Sequence, residues 1–305
     1  MEPRVVIQPI NGLINRLQAI ASGLILAEDL NGELFVDWEP ESVTPVSFEE
    51  VFDPEGCGHL KRDRINDSDQ LNSRLSTVSR YLHWDKQSRT IYLAGYDLGE
   101  QFFMPELRDL LSTQRVRAVV VRAGGKFYLH GGRQLDEGEA RQFASRRQTA
   151  YQSLALNPAV QYMSDQQAQL FDSYIALHLR YSDRLMTSPW RRSIRGAIEE
   201  IVERTRNPHL LIAGDDEDEN KRWWRWSEQQ GLTPFRLSTR AASRSDLAGV
   251  RHALADWHAL SRAQALVYFA ASSFGEEAAV AGGTYRRSIG LTTTPGRRFY
   301  LKGRF

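Results

Sequence analysis

The chain has 305 residues, 41% hydrophobic and 25% charged, which fits a globular protein with ample apolar surface to bury and excludes wholesale disorder. Its 39 Lys and Arg face 38 Asp and Glu, a net charge of +1, so there is no global field to hold a polyanion, and nucleic acid is not an expected partner. A single cysteine, Cys57, excludes an intramolecular disulfide and a thiolate-rich zinc site, and no apolar run approaches the roughly 20 residues that span a bilayer; a cytoplasmic location is expected.

At this length, two domains of roughly 150 residues each are expected. Residues 4–8 read as a short buried strand that Pro9 to Asn11 breaks, and a helical pattern starts at Gly12 and Leu13. Leu13, Leu17, Ile20, Leu24 and Ala27 recur on one helical face, Asn31-Gly32 ends the helix, and residues 33–37 form a second strand, completing a βαβ opening. Residues 38–89 are polar and carry Pro40, Pro45 and Pro54; this stretch is expected to be an insertion with only short helical pieces. Strands are predicted at 90–94, 116–121 and 126–130, followed by a helix from 137 to about 156. Asn157-Pro158 marks the expected boundary between domains 1–157 and 158–305.

The second half alternates more cleanly. Strands at 174–179, 209–213, 235–238 and 265–269 are separated by helices, the pattern of a doubly wound parallel sheet. The helix over 190–205 presents Trp190, Ile194, Ala197, Ile198, Ile201 and Val202 on one face, and that over 246–262 presents Leu247, Val250, Leu254, Trp257 and Leu260. No short-period repeat is present, which excludes a solenoid.

The segment Tyr174-Ile-Ala-Leu-His178-Leu-Arg180-Tyr-Ser-Asp183 ends an apolar strand in a His, an Arg and an Asp. In open α/β sheets ligands bind outside the carboxyl ends of strands, so the planar fork of Arg180 is placed to grip an anion such as a diphosphate; a structural Arg–Asp ion pair is the plainer alternative. Asp215-Asp-Glu-Asp218-Glu219 admits two readings, a divalent-ion site and the acidic first turn of a helix, and the helix start is favoured because a helical pattern follows at once. Ser272 and Ser273 precede another helix, where hydroxyl and amide donors could hold a phosphate or simply cap the turn. Trp223, Trp224 and Trp226 are expected mainly to pack in the core.

His178-Leu-Arg180-Tyr-Ser-Asp183 resembles the His-x-Arg-x-x-Asp motif of the GDP-fucose-dependent fucosyltransferases, a superfamily that includes the α1,6-, α1,2- and protein O-fucosyltransferases. Gly12-Leu-Ile-Asn15-Arg16-Leu17 is similar to their Gly-x-x-Asn stretch, Leu210 to Asp216 to the strand whose closing Asp lies near the guanosine, and Asp256 to Ser261 with Ala271-Ser272-Ser273-Phe274 to their third motif. These matches fall in the family's order over about residues 4–282, although Ser182, Gly275 and the single glycine of the opening depart from its usual pattern.

The resemblance implies a GT-B-like α/β fold of two Rossmann-like domains facing a central cleft, the first on the acceptor side and the second binding the nucleotide sugar. It implies an inverting, metal-independent transfer of L-fucose from GDP-L-fucose, a donor substrate rather than a cofactor, to a hydroxyl of a glycan or small glycoside. Arg180 would stabilise the leaving diphosphate, Asn15 would orient the acceptor, and Asp183 would orient Arg180. Gly12, His178, Asp215, Ser272, Ser273 and Phe274 would line the donor site, with no metal ligand. Asp37, Glu39, Asp183 and His130 are the candidates for a general base. A different nucleotide sugar, with metal assistance through Asp215 and Asp218, and a non-catalytic nucleotide- or glycan-binding protein are the alternatives. The tail over 286–305, with six Lys or Arg and no acid, could meet an anion or stay solvated.

Overall fold

In the computed structural model, which describes residues 3–62, 82–95, 102–103, 110–127, 129–130, 137–180, 188–237, 246–269, 272–291 and 298–299, the first apolar run forms strand β1 (Arg4–Pro9) and the pattern after it forms helix α1 (Leu13–Asp29). The helix stops where the sequence predicts. Asn31 takes a φ of 49°, and the amides of Asn31 and Gly32 bond back to the carbonyls of Glu28 and Ala27 at 3.0 and 2.8 Å, which satisfies acceptors the last turn leaves open. A Cβ at Gly32 would sit 2.1 Å from the carbonyl oxygen of Pro3, so only glycine lets the chain turn back into β2 (Glu33–Val36).

β1 pairs in parallel with β2 on one side and with β7 (Ala118–Ala123) on the other. The stretch expected to be a helical insertion is different where it is described. Trp38, Val46, Phe48, Val51, Phe52, Cys57 and Leu60 are buried in turns, and the stretch contributes edge strands β3 (Lys61–Arg62) and β4 (Leu82–Asp85). Edge pairing depends on backbone groups, which leave little trace in a side-chain pattern. With β5 (Thr90–Gly95) the sheet runs in the order β3-β2-β1-β7-β5-β4, parallel except for the β4–β5 hairpin. The strand expected over 126–130 shortens to β8 (Leu129–His130), because Gly124 and Gly125 bend the chain, and it pairs with β6 (Phe102–Phe103) in a separate ladder. Helix α2 (Glu137–Gln152) lies on α1, with the Arg146 guanidinium bonded to the carbonyl of Ile25 and to Glu28 and Asp29.

The second sheet follows the same plan. A helix the sequence analysis did not anticipate, α3 (Pro158–Ala168), opens it; the Asn157 side chain accepts the Ala159 amide at 3.0 Å. Then come β9 (Ile175–Leu179), α4 (Ser188–Thr205), β10 (His209–Gly214), α5 (Glu217–Gln229), β11 (Thr233–Phe235), α6 (Leu247–Arg262), β12 (Leu266–Phe269), α7 (Ser273–Ala281), β13 (Ile289–Leu291) and β14 (Arg298–Phe299). The order is β11-β10-β9-β12-β13-β14, parallel except for β14. One face buries Ile175, Leu177, Leu210, Ile212 and Val267 against Ile194, Ile198 and Ile201 of α4 and Trp223 and Trp226 of α5. Burial of both rings matches the expected core role of these tryptophans.

Contacts gather the chain into two compact units, Met1–Phe48 with Pro54–Ala155, and Glu49–Asp53 with Leu156–Arg304. Glu49–Asp53 belongs to the second unit because Asn157 bonds to the carbonyls of Glu49 and Val51, and Arg251 Nε donates to that of Glu50 at 2.8 Å. No described helix is long and apolar enough to cross a membrane. Helix α7 meets α6 so closely that a Cβ on Gly282 would lie 1.8 Å from the Ser261 carbonyl oxygen. Backbone cannot yield as a flexible side chain can, so Gly282→Ala should cost about 1–3 kcal/mol or more. This is measured as a lower urea midpoint at constant slope, and an unchanged midpoint would mean that the helices separate freely.

Candidate functional site

The second sheet places its functional groups by strand order. From β9 the chain winds outward through β10 to β11, whereas β12 lies on the other side of β9 and leads to β13. The order reverses between β9 and β12, and a crevice outside the carboxyl ends of two such strands is where open α/β sheets bind ligands. His178 lies near the end of β9 and Arg180 directly follows it, and Ser272, Ser273 and Phe274 follow β12. Residues more than 90 positions apart in sequence therefore meet at one edge.

His178 is 7% exposed, and its ring stacks on that of Phe274 with centroids 4.7 Å apart and planes at 13°. The stack ties the end of β9 to the first turn of α7. Gly275 completes the joint: a Cβ there would lie 2.5 Å from Cβ of Tyr268 and 3.2 Å from His178 Nδ1, so α7 reaches the sheet only through a glycine. The glycine that departs from the family's pattern thus has a packing reason. Ser272 is the N-cap of α7 and 1% exposed, yet its hydroxyl makes no capping bond and no hydrogen bond to any described residue. The first-turn amides of a helix also lack intrahelical acceptors. A buried hydroxyl, these amides and the half-buried Arg180 form a donor-rich edge suited to an anion. Asp183 lies outside the described residues.

Asp215 ends β10 and is half-buried. The acidic run after it is a helix start: Asp216 caps α5 through a 2.9 Å bond from the Glu219 amide. Glu217 takes both oxygens to Arg236, and Glu219 takes Arg191 at 2.6 Å together with Arg222.

The first sheet repeats the device. β1 leads out to β2 and β3, while β7 and β5 lie on the other side, so its order reverses between β1 and β7. Gly12 and Asn15 follow β1 at that point. Gly12 precedes α1 in extended geometry with nothing within 4 Å of where a Cβ would stand, and Asn15 is half-buried in the first turn. The turn is fixed by Arg16, whose side chain has no exposed surface. Its Nε donates to the Asn11 carbonyl at 3.0 Å, Nη1 donates to that of Glu39 at 2.7 Å, Nη2 stands 3.1 Å from Glu41, and the guanidinium lies 4.7 Å over the Trp38 ring. Burial lowers its pKa, against the pull of Glu41. Of the candidate bases, Asp37 is 2% exposed and accepts a bond from Gln8, which places it within the protein; of His130 only the backbone is described.

No family model matches the chain, and no curated protein matches it. Solved structures do. An arginine-to-lysine mutant of Arabidopsis thaliana FUT1 in complex with GDP has a TM-score of 0.66 at 18% identity, over 95% of this chain and 70% of that one. The NodZ α1,6-fucosyltransferase soaked with GDP-fucose, a protein also solved from Bradyrhizobium, gives 0.61 at 15% identity and 98% of each chain. POFUT1 in complex with GDP-fucose gives 0.51 at 11%, covering 92% of this chain and 94% of that one. The chain has the fold of the GDP-fucose fucosyltransferases.

Within this GT-B fucosyltransferase fold, the perturbation of two charged groups was not foreseen from sequence. One is the buried Arg16; a cation inside an apolar helical face was the available signal. The other is Asp256 on α6, within the third motif, a half-buried carboxyl whose pKa desolvation pushes up to about 7 against the opposing charge of Arg236. A carboxyl raised from an unfolded value of about 3.9 contributes its full stabilisation below that pH and loses it as pH rises through the folded value near 7. Asp256→Asn should therefore match the parent near pH 4 and exceed it at about pH 8 by on the order of 1 kcal/mol. Thermal midpoints at both pH values test this; equal midpoints in the alkaline buffer would mean that the carboxylate reaches water.

Proposed function

We propose that the protein transfers L-fucose from GDP-L-fucose to a hydroxyl of a glycan or small glycoside, inverting the anomeric carbon and using no metal ion. The observation that carries this is the convergence of Arg180 with Ser272, Ser273 and Phe274 on the strand-order reversal of the second sheet. The fold is shared with NodZ, solved after soaking with GDP-fucose, and FUT1, solved in complex with GDP.

In such a transfer an acceptor oxygen bonds to the anomeric carbon as the bond from that carbon to the diphosphate breaks, and negative charge grows on the departing GDP. Arg180 meets that charge with two parallel N–H donors, a geometry a lysine ammonium cannot reproduce. The Ser272 hydroxyl and the first amides of α7 bind the other side of the diphosphate, and the His178–Phe274 stack holds them at a fixed distance from β9. In this reading Asp215 accepts hydrogen bonds from the ribose or the guanine amino group. Asn15, beside Gly12 at the turn fixed by Arg16, orients the acceptor, and Asp183 orients Arg180.

Removing one preorganised donor of this kind costs about 3–4 kcal/mol, so Arg180→Lys should lower kcat roughly 10²- to 10³-fold in an assay with GDP-fucose and a glycan panel. GDP should still bind, and near-parental turnover would remove the diphosphate role. Because Asp216, Glu217 and Glu219 are engaged in a cap and ion pairs, transfer should also survive a chelator in full. Loss of activity in chelator, restored by a divalent ion, would favour the metal-assisted alternative through Asp215 and Asp218.

A further inference from the structure

A cluster of charge that the donor site leaves unused lies on the second unit. Between α4 and α5 runs a groove of about 460 Å³ lined by Arg195, Asp218, Lys221, Arg222, Arg225, Trp226 and Gln229. Four cations face one acid in a chain whose net charge is +1. Arg222 is paired with Glu219, and Lys221 stands 3.8 Å from Glu217, but no described carboxylate lies within ion-pair distance of the exposed Arg195 and Arg225. The Arg195 guanidinium instead lies 5.8 Å from the centre of the Trp226 ring.

The helix that carries Arg195 is itself rich in cations at its start. α4 carries Arg191, Arg192 and Arg195 in its first two turns with no acid in the first, and Glu199, Glu200 and Glu203 in its later half. The helix dipole favours the opposite arrangement. Of these three arginines, only Arg191 has an ion pair with a described residue, Glu219.

We propose that this groove binds an anionic saccharide, a short sugar chain bearing carboxylate, sulfate or phosphate groups. Arg195, Lys221 and Arg225 would meet the oxyanions. Asp218, out of place in a site for a bare polyanion, accepts a hydrogen bond from a sugar hydroxyl, and the Gln229 amide serves either kind of group. The volume is that of a small-molecule cleft, and a concave site suits an oligosaccharide better than a flat anionic bilayer. The saccharide nature of the ligand rests on the transfer activity proposed above; its charge rests on the groove alone.

The test titrates the full chain with a sulfated tetrasaccharide, an oligouronate of the same length and a neutral tetrasaccharide. Phosphatidylserine vesicles and GDP are run in parallel. At least one charged tetrasaccharide should bind about tenfold more tightly than the neutral one, with an affinity that falls as salt is raised, since the charges are exposed. The doubly substituted Arg195→Ala, Arg225→Ala protein should lose about tenfold in that affinity and keep the parental Kd for GDP. Equal affinity of parent and double variant for both charged chains would overturn the proposal, as would binding to the vesicles with none to the tetrasaccharides. Failure of GDP to bind the parent would count against the transferase reading and leave the groove's charge selectivity to be judged from the saccharide titrations.

Discussion

Everything at the donor edge follows from one constraint of parallel sheets: a helix can return the chain over only one face at a time. After β9 the chain crosses by α4, which packs with Ile175, Leu177 and Val267. After β12 it crosses by α7, which packs on the other face, against Tyr268 and His178. Two neighbouring strands thus send their helices apart, and the space between their carboxyl ends is lined by chain ends and polar groups. The fold does not satisfy all of those groups itself. The Ser272 hydroxyl is buried without a described partner, a cost that a bound anion would offset.

Close approach makes this geometry exact enough for recognition. Gly275 lets α7 touch the sheet where any side chain would strike Tyr268, and Gly214 lets the Asn220 amide reach the end of β10, where its Nδ2 donates to the Gly214 carbonyl at 2.9 Å. The first sheet solves the same problem with a cation. Burying a guanidinium is expensive unless its donors and charge are met, and Arg16 gives Nε and Nη1 to the carbonyls of Asn11 and Glu39 while Glu41 lies 3.1 Å from Nη2 as an ion-pair partner. It thereby ties the turn before α1 to the chain beyond β2. Asn11 holds a φ of 69° in that turn, with its side chain packed where a Cβ on Gly124 would intrude.

The charge distribution of the second unit follows a different logic. The acids at the start of α5 agree with its dipole and serve as cap and ion-pair partners, whereas the arginines at the start of α4 oppose theirs. A near-neutral total conceals this asymmetry, because charge bears on binding by where it is concentrated rather than by its sum.

The sequence alone was enough for two α/β halves, most of the parallel strands, the helix start at Asp216 and the order of the motifs around Gly12, Arg180, Asp215 and Ser272. Those features are written in periodicity, in turn residues and in local polar competition, each of which acts within a few residues along the chain. Tertiary structure decided the rest: the adjacency of β9 and β12, the stack of His178 on Phe274, the edge strands β3 and β4, the return of Glu49–Asp53 to the second unit, the burial of Arg16 and the desolvation of Asp256. Such features depend on which strand lies beside which and on what surrounds a charged group, and neither strand order nor burial is a property of a segment taken by itself.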